Sequence, residues 1–227
     1  MMIRPFTAAL FTTLVAATSS LAEGRVSFIA DAGDAGQMSM TERWSGSALR
    51  TDIEGMDAYM LLRDDSVYSI ISMAGQITVI DLGQMKDMPG VAANQTPSQN
   101  EAGVVFPDEI VTIEEMGETR EIAGVGGDVH EIEWVDNAGQ PRTDNAVLTD
   151  DTRLLEHQAL KMQLIETISG EAPNPLMVEL QDRGLAALSF GDRFKVTEVN
   201  GDAGPAGDFE LPAEPMDLGN MMNMGNQ

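Results

Sequence analysis

No cysteine occurs anywhere in this chain of 227 residues. That absence excludes disulfides, thiolate metal centres and thiol nucleophiles, so packing alone must hold the fold together. Basic residues are also scarce: 13 lysines and arginines stand against 37 acids, for a formal net charge of −24. Arg43, Arg50, Arg63, Arg120, Arg142, Arg153 and Lys161 are scattered among carboxylates along the chain. Nucleic acid needs clustered cations, so it is excluded as a partner, and an anionic membrane surface is disfavoured for the same reason. The acid excess reads as a solvated surface or, alternatively, as a face that docks a basic protein partner.

Catalytic signals are equally sparse. The two histidines show no HExxH or HxH ligand spacing. His130 alternates with Ile132 and Trp134 and reads as a packed or rim residue; His157, beside Glu156 and four residues before Lys161, reads as part of a solvated helix face. Ser189 lies in Leu-Ser-Phe-Gly, which lacks the nucleophile elbow. The acid pairs Asp64/Asp65, Glu114/Glu115 and Asp150/Asp151 follow from composition alone. Gly124, Gly126 and Gly127 resemble a fragment of a phosphate loop, but no basic residue or helix follows, and a tight hairpin turn accounts for them. The resulting expectation is a non-enzymatic protein with no cofactor and no metal.

What is present begins with an export signal. Arg4 precedes an apolar run from Pro5 to Ala17, and Ser20-Leu21-Ala22 supplies small residues before a cleavage point, with Glu23 as the mature start. The run is too short to span a membrane, and the missing cysteine removes the site of lipid attachment. The expected location is the periplasm, as a soluble chain of about 205 residues, long enough for one or two cores.

The mature chain reads as strands first and helices later. Period-two segments at Val26–Ala30, Met38–Trp44, Ala48–Glu54, Ala58–Arg63, Val67–Met73 and Ile77–Leu82 are punctuated by Gly and Asp, as in a β-meander. A helical turn is expected from Gly83 to Pro89 and an exposed loop from Pro89 to Gly103. Strands resume at Ile110–Met116, Thr119–Val125, Val129–Val135 and Asn145–Thr149, with turns at Gly117-Glu118 and Gly126-Gly127. The period then lengthens to that of a helix capped by Thr149 or Asp150, with Leu155, Ala159, Met162 and Ile165 on one face. A second helix runs from Pro175 to Gly184, and strands Leu185–Phe190 and Phe194–Val199 follow. The expected fold class is α+β: a curved antiparallel sheet of about nine strands, an incomplete barrel, with two late helices packed on it. The domain layout is a signal peptide at 1–22, the sheet domain at 23–200, and a disordered acidic tail containing methionine at 201–227.

The segments Trp44–Gly55, Tyr59–Asp65, Val67–Met73, Thr78–Asp81 and Gly117–Gly124 resemble an exported family of unknown function related to the LolA/LolB-like lipoprotein carriers. The resemblance implies a curved sheet with helices over an apolar cavity, and a lipid or lipoprotein as ligand. Many members of that family carry a cysteine after the second segment; Gly126-Gly127-Asp128 stands there in this chain. Met40, Met60, Leu62, Ile71, Met73, Ile77 and Val79 are the candidate lining of such a hollow, and they fill a closed core equally well. Met38/Met40 and Met221/Met222/Met224 carry a third alternative, thioether binding of Cu(I).

Overall fold

The computed structural model describes residues 23–85, 104–170 and 172–216. The signal segment, the loop from 89 to 103 and the last methionine cluster lie outside the described residues. Eleven strands form one antiparallel sheet that does not close. Six make a meander in chain order: β1 (Glu23–Asp31), β2 (Gln37–Ser45), β3 (Ala48–Ile53), β4 (Ala58–Arg63), β5 (Ser66–Met73) and β6 (Gln76–Asp81), followed by the short α1 (Leu82–Met85). A second series holds β7 (Pro107–Ile122), β8 (Val125–Asp136), β9 (Pro141–Thr149), α2 (Thr152–Ser169), α3 (Pro175–Arg183), β10 (Ala186–Phe190) and β11 (Phe194–Asn200). The two halves join where β11 pairs with β1, giving the order β6-β5-β4-β3-β2-β1-β11-β10-β9-β8-β7. The sheet is therefore larger than the nine strands expected, and its two edges, β6 and β7, are consecutive in sequence.

Two glycine turns expected in the second half are placed differently. Gly117 sits inside β7 at a register shift between Glu115 and Thr119, so the expected strand pair is one 16-residue strand. The two extra residues of β7 between these pairs are absorbed as a bulge without reversing the chain, and the positive φ of 70° at Gly117 suits that position. The reversal instead falls at Ala123-Gly124, which leaves Gly126 and Gly127 within β8. Gly127 is required there by space: a Cβ would come within 2.5 Å of the Leu148 carbonyl oxygen on β9.

Both helices are delimited by the chemistry of their ends. Asp151, not Thr149 or Asp150, caps α2 by accepting a hydrogen bond from the Arg153 amide at 3.0 Å. Gly170 ends the helix in the left-handed conformation. Asn174 caps α3 through the Met177 amide, Pro175 occupies the first turn, and Gly184 closes it. Among the described residues no helix is long and apolar enough to cross a membrane.

The helices cover one face of the sheet. Val26, Phe28, Trp44, Leu49, Leu62 and Val67 pack there against Leu154 and Leu164 of α2, while Ile132, Trp134, Leu148 and Phe190 pack against Leu176 and Leu180 of α3. The opposite face of β3–β6 has its own cover. Residues 201–216, expected as part of a disordered tail, cross it, and Phe209 packs with Leu61, Ile70, Val79 and Ala203. The Met216 amide bonds to the Val79 carbonyl at 2.8 Å. The reason for the departure is visible on β2, β3 and β4. Arg43, Arg50 and Arg63, far apart in sequence, converge: Arg43 pairs with Asp208, Arg50 reaches the Asp208 carbonyl, and Arg63 donates to the Phe209 carbonyl at 3.0 Å. One buried aromatic ring and three arginine contacts offset the ordering entropy that the glycine-rich composition implies.

Candidate functional site

The polar centre of the molecule lies beneath α2. On β2 the side chains of Met38, Met40, Glu42 and Trp44 alternate onto the helix-covered face, so a carboxylate enters a core position between a methionine and a tryptophan. Glu42 is only 3 % exposed. Its Oε2 lies 2.5 Å from His157 Nε2 and 3.3 Å from Lys161 Nζ, and its Oε1 accepts from Thr51 Oγ1 at 3.3 Å. Burial by itself would raise the carboxyl pKa. The Lys161 charge, His157 and the hydrogen bonds from both outweigh it and hold Glu42 at about 2. An ionised carboxylate only accepts, so His157 Nε2 carries the hydrogen of the shared bond.

The remaining faces of these side chains are packed. The His157 ring packs against Trp44 at a tilt of 44° with centroids 5.2 Å apart, and the Lys161 ammonium lies 4.2 Å from the Phe28 ring centroid. His157 is thus buried, which corrects the solvated helix face expected for it. Of the expected helical stripe, Leu155 and Ile165 pack against the core from its edge, while the centre of the buried face lies beside them. Leu154, His157, Gln158 and Leu164 are the buried residues of α2, whereas Ala159, expected inward, is exposed. Hydrophobicity alone could not find this stripe, because two of its members are polar. Glu42 itself was legible as a charge in an inward register.

His157 and Lys161 also border a cavity of about 270 Å³ between the two helices and the sheet. Its walls are Val26 and Phe28 of β1, Leu154 of α2, Leu176 and Leu180 of α3, Ala186, Ala187 and Phe190 of β10, Phe194 and Val196 of β11, and the segment Val105–Pro107. The polar wall atoms come from His157, Gln158, Lys161, Asn174 and Arg193. Two of these are fixed by partners behind the wall: Gln158 donates to the Leu185 carbonyl at 3.0 Å, and Arg193 to Asp144 at 2.8 Å. Mostly apolar walls with a few oriented polar groups are the composition of a small-ligand site, and the volume is at the small end for one.

None of the seven residues expected to line a hollow borders this cavity. Register explains the difference. Leu62 is packed in the core beneath α2, and Met40 packs against that core from its rim. Met60, Ile71 and Met73 share that face through the pairs Thr51–Met60, Ala58–Ile71 and Met73–Gln76, but Met73 is 72 % exposed. Val79 and Ile77 belong to the opposite face; Val79 packs under Phe209, and Ile77 is 50 % exposed. Met40 does border a second hollow of about 430 Å³ among β1, β2 and β3, whose lining includes Ser27, Thr41, Asp52 and Glu54. The cavity that the helices enclose lies on β1, β11 and β10, where two strands from opposite ends of the domain meet, and meander spacing gives no hint of that junction.

His130 is buried on β8, with Nδ1 3.1 Å from the Asp128 carbonyl. A main-chain carbonyl behind a histidine fixes its ring and tautomer. Among the described residues no serine, threonine or cysteine borders the cavity, and no group of three or more acidic or histidine side chains is placed to hold a metal ion. No family model, curated protein or solved structure matches the chain.

Proposed function

We propose that this is an exported, non-catalytic carrier that holds one apolar chain, such as a lipid or the acyl part of a lipoprotein, in the cavity between its helices and its sheet. The observation that carries the reading is the cavity itself: about 270 Å³ of space walled by Phe28, Leu176, Leu180, Phe190, Phe194 and Val196. The space is open to solvent on one side, so its apolar walls face water unless an apolar occupant covers them. A broad open sheet, two late helices on one face and an apolar space between them also support a LolA-like architecture. The periplasmic location rests on the signal at residues 1–22.

Titration of the mature protein with a hydrophobic fluorescent dye tests the reading. Saturable binding at one site is expected, and Ala187→Trp, which fills the cavity from β10, abolishes it without changing far-ultraviolet circular dichroism. Unsaturable binding, or binding unaltered by the substitution, replaces the carrier with the rival account, a closed core whose acidic surface recognises a basic protein.

A further inference from the structure

We infer that the occupant of the cavity is a single-chain amphiphile with an anionic head group. This rests on the reading of the cavity as an apolar binding site and adds the charge of the ligand to it. The chain carries 37 acids and 13 lysines and arginines, yet the cavity wall reverses that bias: it holds Lys161, Arg193 and His157 and no aspartate or glutamate. The two carboxylates that belong to these cations, Glu42 and Asp144, lie behind the wall and do not border the space.

The cations also keep donors in reserve. An ammonium has three N–H groups and a guanidinium five. Lys161 gives one to Glu42 at 3.3 Å, and Arg193 gives Nη1 to Asp144 at 2.8 Å. Each is held in place by ring contacts besides: Lys161 over Phe28 at 4.2 Å, and Arg193 over Trp134 at 4.9 Å. Donors positioned in this way meet an incoming anion with little further loss of side-chain freedom. A cationic head would face two like charges with no exposed carboxylate to answer them. A neutral head would leave the charge-assisted bonds unmade.

Calorimetric titration of the mature protein with four ligands of one chain length separates the outcomes: decanoate, decyl phosphate, decanol and decyltrimethylammonium. Decanoate or decyl phosphate is expected to bind about tenfold or more tighter than decanol, and more weakly at high salt, with decyltrimethylammonium weakest. The two anions distinguish a carboxylate from a phosphate head. Lys161→Met or Arg193→Gln should bring the preferred anion to the affinity that the same variant shows for decanol, with far-ultraviolet circular dichroism showing that the variant is folded. Equal affinity for decanol and both anions, or an anion preference that survives both substitutions, overturns the inference and leaves the apolar carrier standing. Failure of all four to bind overturns both.

Discussion

Replacing Glu42 by glutamine removes the one charge on which His157, Lys161 and Thr51 converge, and the consequence depends on pH in a way that can be worked out. The carboxyl has its ordinary value of 4.5 when unfolded and about 2 when folded. A depressed folded pKa stabilises the native state above the unfolded value, and this stabilisation disappears as pH falls through the folded value. The full difference is worth roughly 3 kcal/mol, in line with the cost of breaking a buried ion pair by deleting one partner. Glu42→Gln is therefore expected to be less stable than the parent by roughly 3 kcal/mol at pH 7. The gap should persist down to about pH 5.5 and fall below half its value by about pH 3. Urea unfolding followed by tryptophan fluorescence measures it, since Trp44 packs against His157 and reports the region. Every other carboxylate is common to both proteins, so the difference isolates this one. A gap that is absent at pH 7, or that stays constant from pH 7 to pH 3, refutes the buried ion cluster.

Two further substitutions test the packing. Gly127→Ala drives a Cβ into the Leu148 carbonyl at 2.5 Å, whereas a Cβ at Gly126 meets nothing within 4 Å. The first should cost about 2 kcal/mol or more and lower the Tm by several degrees, while Gly126→Ala stays within about 0.5 kcal/mol of the parent; equal effects would place the turn where the glycine pair alone suggests it. Phe209→Ala should cost about 3 kcal/mol by uncovering Leu61, Ile70 and Val79, and urea unfolding indistinguishable from the parent would mean that residues 201–216 do not cover the sheet.

The boundaries of β4, the C-terminal end of α2, both ends of α3 and the long meander were legible because hydrophobic period, Gly punctuation and capping residues agree there. What was not legible depends on partners distant in sequence. Arg43, Arg50 and Arg63 look scattered along the chain, yet cross-strand pairing lines them up to hold Asp208 and Phe209. Gly126-Gly127 imitates a turn, but its second glycine answers to the backbone of β9. The candidate site was hidden for two reasons. Its helical stripe includes His157, Gln158 and Lys161, which a hydrophobic pattern passes over, and its strands β1 and β11 come from opposite ends of the domain. The methionines chosen as lining lie along the meander, in core rim and exposed positions away from the helix-enclosed space.

The carrier account is tested most directly by native mass spectrometry of the protein purified from its own cells, alongside Ala187→Trp prepared in the same way. The account predicts that the parent carries one additional small mass, released on unfolding and identified as an amphiphile, and that the variant has the mass of the chain alone. Parent protein at the bare chain mass, or an adduct retained by the cavity-filled variant, would contradict it.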